Sequence, residues 1–144
     1  KKTGYVNVND ILTALPETKK ANEDLEKYYK QLQDEYVALG KDLETKFKEF
    51  EAKKSSMTPT MIEVKQKELQ NLNNQLEEFQ AKAQENVQKK ESELLSPILK
   101  KINDAIEAHG KSKNFDFILN SNSIIFAKDA ENVTADIKTS LGIK

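Results

Sequence analysis

Residues 21–50, ANEDLEKYYKQLQDEYVALGKDLETKFKEF, place apolar side chains at Ala21, Leu25, Tyr28, Leu32, Tyr36, Leu39, Leu43, Phe47 and Phe50, always three or four apart. That spacing draws one apolar stripe along an α-helix. Leu25, Tyr36 and Phe47 are eleven apart, as are Tyr28, Leu39 and Phe50. An eleven-residue repeat has a period near 3.67, so the stripe predicts a straight or slightly right-handed seam, not a left-handed heptad coil. Pro16, followed by Glu17, is a helix start signal. Gly40 costs about 1 kcal/mol relative to alanine inside a helix, but the apolar phase continues across it and the helix is expected to do the same.

The stripe stops at Ser55-Ser56-Met57-Thr58-Pro59-Thr60, a cluster of breakers and caps, and resumes at Met61 or Ile62, then Leu69, Leu72, Leu76, Phe79, Ala83, Val87 and Leu94. Two amphipathic helices joined by so short a link fold back antiparallel. The expected product is a coiled-coil arm over residues 18–96 with its tip near 55–60, some 37 residues and roughly 55 Å long at 1.5 Å per residue. Ser96-Pro97 predicts a kink or a restart of the return helix, because proline removes a hydrogen bond and crowds the preceding turn.

Outside the arm the pattern changes. Tyr5-Val6-Asn7-Val8-Asn9 alternates as a strand would, with Val6 and Val8 on one face and Asn9 or Asp10 capping a helical turn after it. Phe115–Leu119 and Ile124–Ala127 flank the turn residues Asn120–Ser123 and predict a β-hairpin, followed by a short helix capped by Asn132. The expected fold class is therefore α+β, mostly α, with a three-stranded β/α body built from residues 1–17 and 97–144. Some 65 residues give a thin core, and short strands leave open edges, so the body is expected to oligomerise through Val6, Val8, Phe115, Phe117, Leu119, Ile124 and Phe126.

The composition narrows the function. Of 144 residues 37% are hydrophobic and 33% charged, the net charge is −1, and all 23 basic residues are lysine. A near-neutral chain without the arginine fork is a poor nucleic-acid binder. There is no cysteine, and His109 is the only histidine, without a second ligand at helical spacing, so neither thiol chemistry nor a metal site is expected. Gly110-Lys111-Ser112 resembles the end of a phosphate loop, but the position for its first glycine falls at Ala105 inside a helix. Acid pairs such as Glu77-Glu78 lie on a charged helix face. The reading is no enzyme, no cofactor and no membrane span.

The arm tip is the candidate binding site. Over residues 46–67, Lys46, Lys48, Lys53, Lys54, Lys65 and Lys67 exceed Glu49, Glu51 and Glu63 by three charges, with Met57, Met61 and Ile62 among them. Adaptable methionines beside lysines suit promiscuous contacts. Lys46, Phe50, Lys53, Lys54, Met57, Met61, Ile62 and Lys65 are the expected contact residues.

Gly4-Tyr5-Val6-Asn7-Val8-Asn9, Ser96-Pro97-Ile98, Phe115-Asp116-Phe117-Ile118-Leu119-Asn120-Ser121-Asn122 and Asn132-Val133-Thr134-Ala135-Asp136-Ile137 resemble the Skp (OmpH-like) family of periplasmic outer-membrane-protein chaperones. The layout of the whole chain is similar too. The resemblance implies an ATP-independent holdase, a jellyfish-shaped homotrimer whose arms enclose unfolded outer-membrane β-barrel proteins, in the periplasm after loss of a signal peptide. It also implies no more than weak contact with a membrane surface. Basic, arginine-bearing members of that family differ from this neutral chain, which is expected to steer clients less strongly. The alternative from the residues alone is a coiled-coil scaffold or spacer of the cell envelope.

Overall fold

The computed structural model describes residues 1–144. Its elements are β1 (Thr3–Val6), α1 (Val8–Ala14), α2 (Pro16–Lys53), α3 (Pro59–Ser112), β2 (Phe117–Asn120) and α4 (Thr134–Ser140), with single 3₁₀ turns at Lys54–Ser56, Ser121–Ser123 and Asp129–Glu131. The chain divides into two units, Lys1–Asp24 with Glu91–Lys144, and Leu25–Lys90.

In the first unit β1 and β2 pair in parallel, Thr3 opposite Phe117 and Val6 opposite Asn120. The other side of β1 is occupied at one point, where the Val133 amide donates to the Tyr5 carbonyl at 2.9 Å. Gly4 is required there, because a Cβ would lie 2.8 Å from the Phe115 ring and 3.3 Å from the Glu131 carbonyl. Val6, Ile11, Leu15, Ala21, Ile98, Ile102, Val133 and Ile137 form the buried core. Polar groups lock its edges. The Asn7 amide donates to Thr134 Oγ1 at 2.9 Å, and that hydroxyl donates to Asn132 Oδ1 at 2.6 Å. Lys138 meets Asp10 at 3.2 Å and Lys101 meets Glu17 at 2.6 Å. The Lys101 hydrogen bond lowers the Glu17 carboxyl below its ordinary value. Thr18 Oγ1 is buried without a hydrogen-bond partner.

The second unit, Leu25–Lys90, is the part of the α2–α3 hairpin beyond the first unit. Gly40 lies inside α2 as expected, with open space where a Cβ would stand. The hairpin is one seam deep, and Phe50 is its only buried residue. Two helices share a narrow line of contact, whereas an eleven-residue repeat spreads its stripe wider than that line. Leu39 and Phe47, both in the stripe, are therefore 41% and 52% exposed.

Three local expectations are corrected. The body sheet has two parallel strands instead of three with a hairpin. β2 finds its partner at the opposite end of the chain, and Ile124–Ala127 does not fold back on it. Val8 belongs to α1, not to β1, because Asn7 ends the strand and caps the helix, its Oδ1 accepting from the Asp10 amide at 3.0 Å. Of the kink or restart expected at Pro97, the restart does not occur, and α3 is unbroken from Pro59 to Ser112. Pro97 and Glu93, whose carbonyl loses its usual donor, are both exposed, so water can satisfy the freed group.

Candidate functional site

At the tip, α2 ends at Lys53 and α3 begins at Pro59, the Thr58 hydroxyl oxygen accepting from the Met61 amide at 3.2 Å. The link turns inward over Phe50, which is 5% exposed. Lys46, Glu49, Lys53, Met57, Lys65, Glu68, Leu69 and Leu72 line the surrounding cavity of about 200 Å³ together with Phe50 itself. Lys54 Nζ stands 5.6 Å from the Phe50 ring centroid, a cation–π contact. Phe50 therefore supports the tip from within. Met61 is 46% exposed, and Met57, Ile62 and Lys65 are half-buried.

The lysine excess is smaller in space than along the chain. Lys46 pairs with Asp42 at 3.0 Å, Lys48 with Glu44 at 2.9 Å and Lys65 with Glu68 at 3.3 Å. All three acids lie just outside the basic window. The Lys48 hydrogen bond holds the Glu44 carboxyl below its ordinary value. Over residues 42–68 six lysines face six acids, so the tip presents apolar surface more than net charge.

Further along the hairpin lies a groove of about 390 Å³ lined by Tyr29, Leu32, Gln33, Tyr36, Phe79, Gln80, Ala83, Gln84, Val87 and Gln88. Tyr36 and Phe79 stack across the helices with ring centroids 6.5 Å apart. A second hollow, lined by Gly40, Leu43, Glu44, Phe47, Leu69, Gln70 and Asn73, adds one half-exposed aromatic ring. Neither hollow was among the expected contact sites. The spacing of Gln80, Gln84 and Gln88 is visible in the sequence, but uncharged amides draw no notice in a search for charge or methionine.

In the other unit, Val6 is spent in the core and Val8, Phe115 and Ile124 are half-buried. Phe117 and Leu119 are each 50% exposed, and Ile125 and Phe126 stand almost fully in solvent. His109 is mostly covered, with its ring 5.7 Å from that of Phe115 and Nε2 4.0 Å from Asp136. No three His, Asp or Glu side chains are grouped so as to hold a metal ion, and no helix is long and apolar enough to cross a membrane.

Comparison with known proteins agrees with this architecture. Residues 2–141 match the family described as outer membrane protein (OmpH-like). The chaperone protein Skp of Pectobacterium atrosepticum is 26% identical over 139 residues, which cover 94% of this chain and 82% of that protein. Skp of Yersinia enterocolitica is 27% identical over 140 residues, covering 94% and 83%. Among solved structures, a Caulobacter crescentus protein described as an outer membrane chaperone (OmpH-like) superposes with a TM-score of 0.86 at 18% identity, covering 97% of this chain and 83% of that one.

Proposed function

The chain belongs to the OmpH-like outer membrane protein family, and from that premise we propose that it is an ATP-independent periplasmic holdase for unfolded outer-membrane β-barrel proteins. The observation that carries the reading is the poverty of burial in Leu25–Lys90. That unit displays Tyr29, Val37, Leu39, Phe47, Met61 and Val64 at 41–59% exposure and buries only Phe50. Where such residues run together, as Tyr29, Leu32, Tyr36, Phe79 and Val87 do along one groove, exposed apolar surface marks an interaction site. Its chemistry suits many weak contacts to a chain without fixed structure, since it asks for no particular sequence. A third of the chain is charged, which keeps such a surface soluble between clients.

The working form is a homotrimer. Phe117, Leu119, Ile125 and Phe126 are exposed beside a two-stranded sheet, and a body of this size gains from burying them against further copies. Several arms acting on one client give avidity from contacts that are individually weak. Lys46, Lys53, Lys54, Met57, Met61, Ile62 and Lys65 form the tip of each arm, with Phe50 as its internal support.

The test is dilution of a urea-unfolded outer-membrane barrel protein into this protein without nucleotide, read by light scattering. Suppressed aggregation at equimolar trimer is expected. Unchanged aggregation would remove the holdase reading and leave the envelope scaffold. Native mass spectrometry should show a trimer, and a stable monomer would overturn the role given to the body. Replacing Met57, Met61 and Ile62 by serine should weaken client capture, and unchanged affinity would remove the tip from the site.

A further inference from the structure

We propose that the groove between Tyr29–Tyr36 of α2 and Phe79–Gln88 of α3 docks one extended polypeptide segment of alternating apolar and uncharged polar residues, held by its backbone on a ladder of glutamines. The inference rests on the holdase reading and specifies what one part of the arm recognises.

The first observation is the absence of charge. None of the ten residues lining the groove is charged, in a chain where 33% of residues are. A surface that captured clients by ion pairing would not be built this way. A seam for another helix would be flanked by charged residues at its borders, as coiled-coil seams are. Here the exposed border residues on α3 are Gln80, Gln84 and Gln88.

The second observation is their spacing. Residues four apart on a helix recur every 6 Å or so, at about 1.5 Å per residue. An extended chain repeats every two residues, roughly 6.6 Å. Three glutamines on one helix line therefore keep step with successive backbone groups along one edge of an extended segment, within the reach of a flexible side chain. Each primary amide carries both donors and an acceptor, so it can meet a backbone N–H or a carbonyl. Gln33 offers a fourth amide from the opposite helix.

The floor completes the match. The stacked rings of Tyr36 and Phe79, with Leu32 and Val87, form an apolar bed beneath the amides. When one edge of an extended segment faces the ladder, alternate side chains point to that bed and the rest to water. Alternation of apolar and polar residues is the pattern of a transmembrane barrel strand. The groove thus suits the unfolded form of such a strand through backbone and alternation alone, without reading particular side chains.

The test uses the full chain and a fluorescent peptide of about ten residues, the length of one barrel strand, with valine or phenylalanine alternating with threonine. Binding is read by anisotropy against two controls, the same residues with the apolar ones grouped and an uncharged amphipathic helical peptide. The variant is Gln80→Ala with Gln84→Ala and Gln88→Ala, which keeps the helix because alanine is the strongest helix former. The wild type should prefer the alternating peptide. The triple variant should bind it at least about tenfold more weakly, the effect of losing three hydrogen bonds at the lower end of their ordinary net strength. Equal binding of grouped or helical peptide, or unchanged affinity in the variant, overturns the groove while aggregation suppression by the wild type still upholds the holdase. A wild type that holds neither peptide nor unfolded barrel overturns both.

Discussion

Replacing Phe50 by alanine should loosen the arm tip and leave the rest of the molecule as it was. Phe50 is 5% exposed and is the only buried side chain of Leu25–Lys90. A buried phenylalanine removes about 150 Å² from water, which at about 25 cal/mol per Å² is close to 4 kcal/mol, an upper estimate because the unfolded chain already covers part of that surface. The walls around it are largely the stems of Lys46, Glu49, Lys53, Lys65 and Glu68, which can sag into the space and admit water. The cost should therefore fall to about 2–3 kcal/mol, below the value for a sealed core. Such a loss raises local opening roughly 30- to 150-fold. Hydrogen exchange read by mass spectrometry should show that acceleration in amides 46–69 and none in amides 98–106. Unchanged exchange at the tip would refute the claim that Phe50 holds it closed, and equal acceleration around Ile102 would refute the claim that the effect is local.

Three further outcomes are expected. Thr18→Val exchanges a buried hydroxyl without a partner for a methyl of similar shape and should stabilise the protein by about 1 kcal/mol, read as a higher denaturant midpoint at unchanged slope. Gly40→Ala meets nothing within 4 Å and should strengthen α2 by about 1 kcal/mol, read as slower exchange of its central amides. Glu17 is held below its ordinary pKa by Lys101, so it binds fewer protons folded than unfolded; its contribution is complete above the usual glutamate range and fades as pH falls through the lowered value. Glu17→Gln should therefore flatten the acid limb of a stability–pH curve and leave its shape near neutrality unchanged.

What was legible in the sequence follows the range over which each interaction acts. The stripe from Ala21 to Phe50 sets α2 because helix periodicity is local, and Pro16, Thr58 and Pro59 mark ends by chemistry visible within one turn. Asn7 could have been found as a cap from Asp10 three residues on, but the alternation of Tyr5 to Asn9 imitates a strand through that point. Ile124–Phe126 imitates one as well, and only a partner decides whether such a run pairs. β2 takes its partner from residues 3–6, which no window around residue 120 contains. At Pro97 the sequence leaves a kink or a restart open, and the helix runs on because the freed Glu93 carbonyl is exposed to water. At the tip, the basic window ended one residue short of Glu68 and two short of Glu44, so its excess charge depended on where the count stopped.

The parallel pairing of Thr3–Val6 with Phe117–Asn120 also governs the order in which the molecule can form. The first strand lies near residue 5, yet its neighbour in the sheet begins more than a hundred residues later. Joining the ends of so long a flexible loop costs about 4 kcal/mol in chain entropy. The hairpin has no such debt, because its contacts are added turn by turn from the tip and bring Tyr28 to within 5.7 Å of the Lys90 ammonium. A hairpin formed first shortens the effective loop between the two strands to the few dozen residues outside it. The long helices thus act as a splint during folding, and mutations that fray them should delay closure of the sheet even where they leave its final stability untouched.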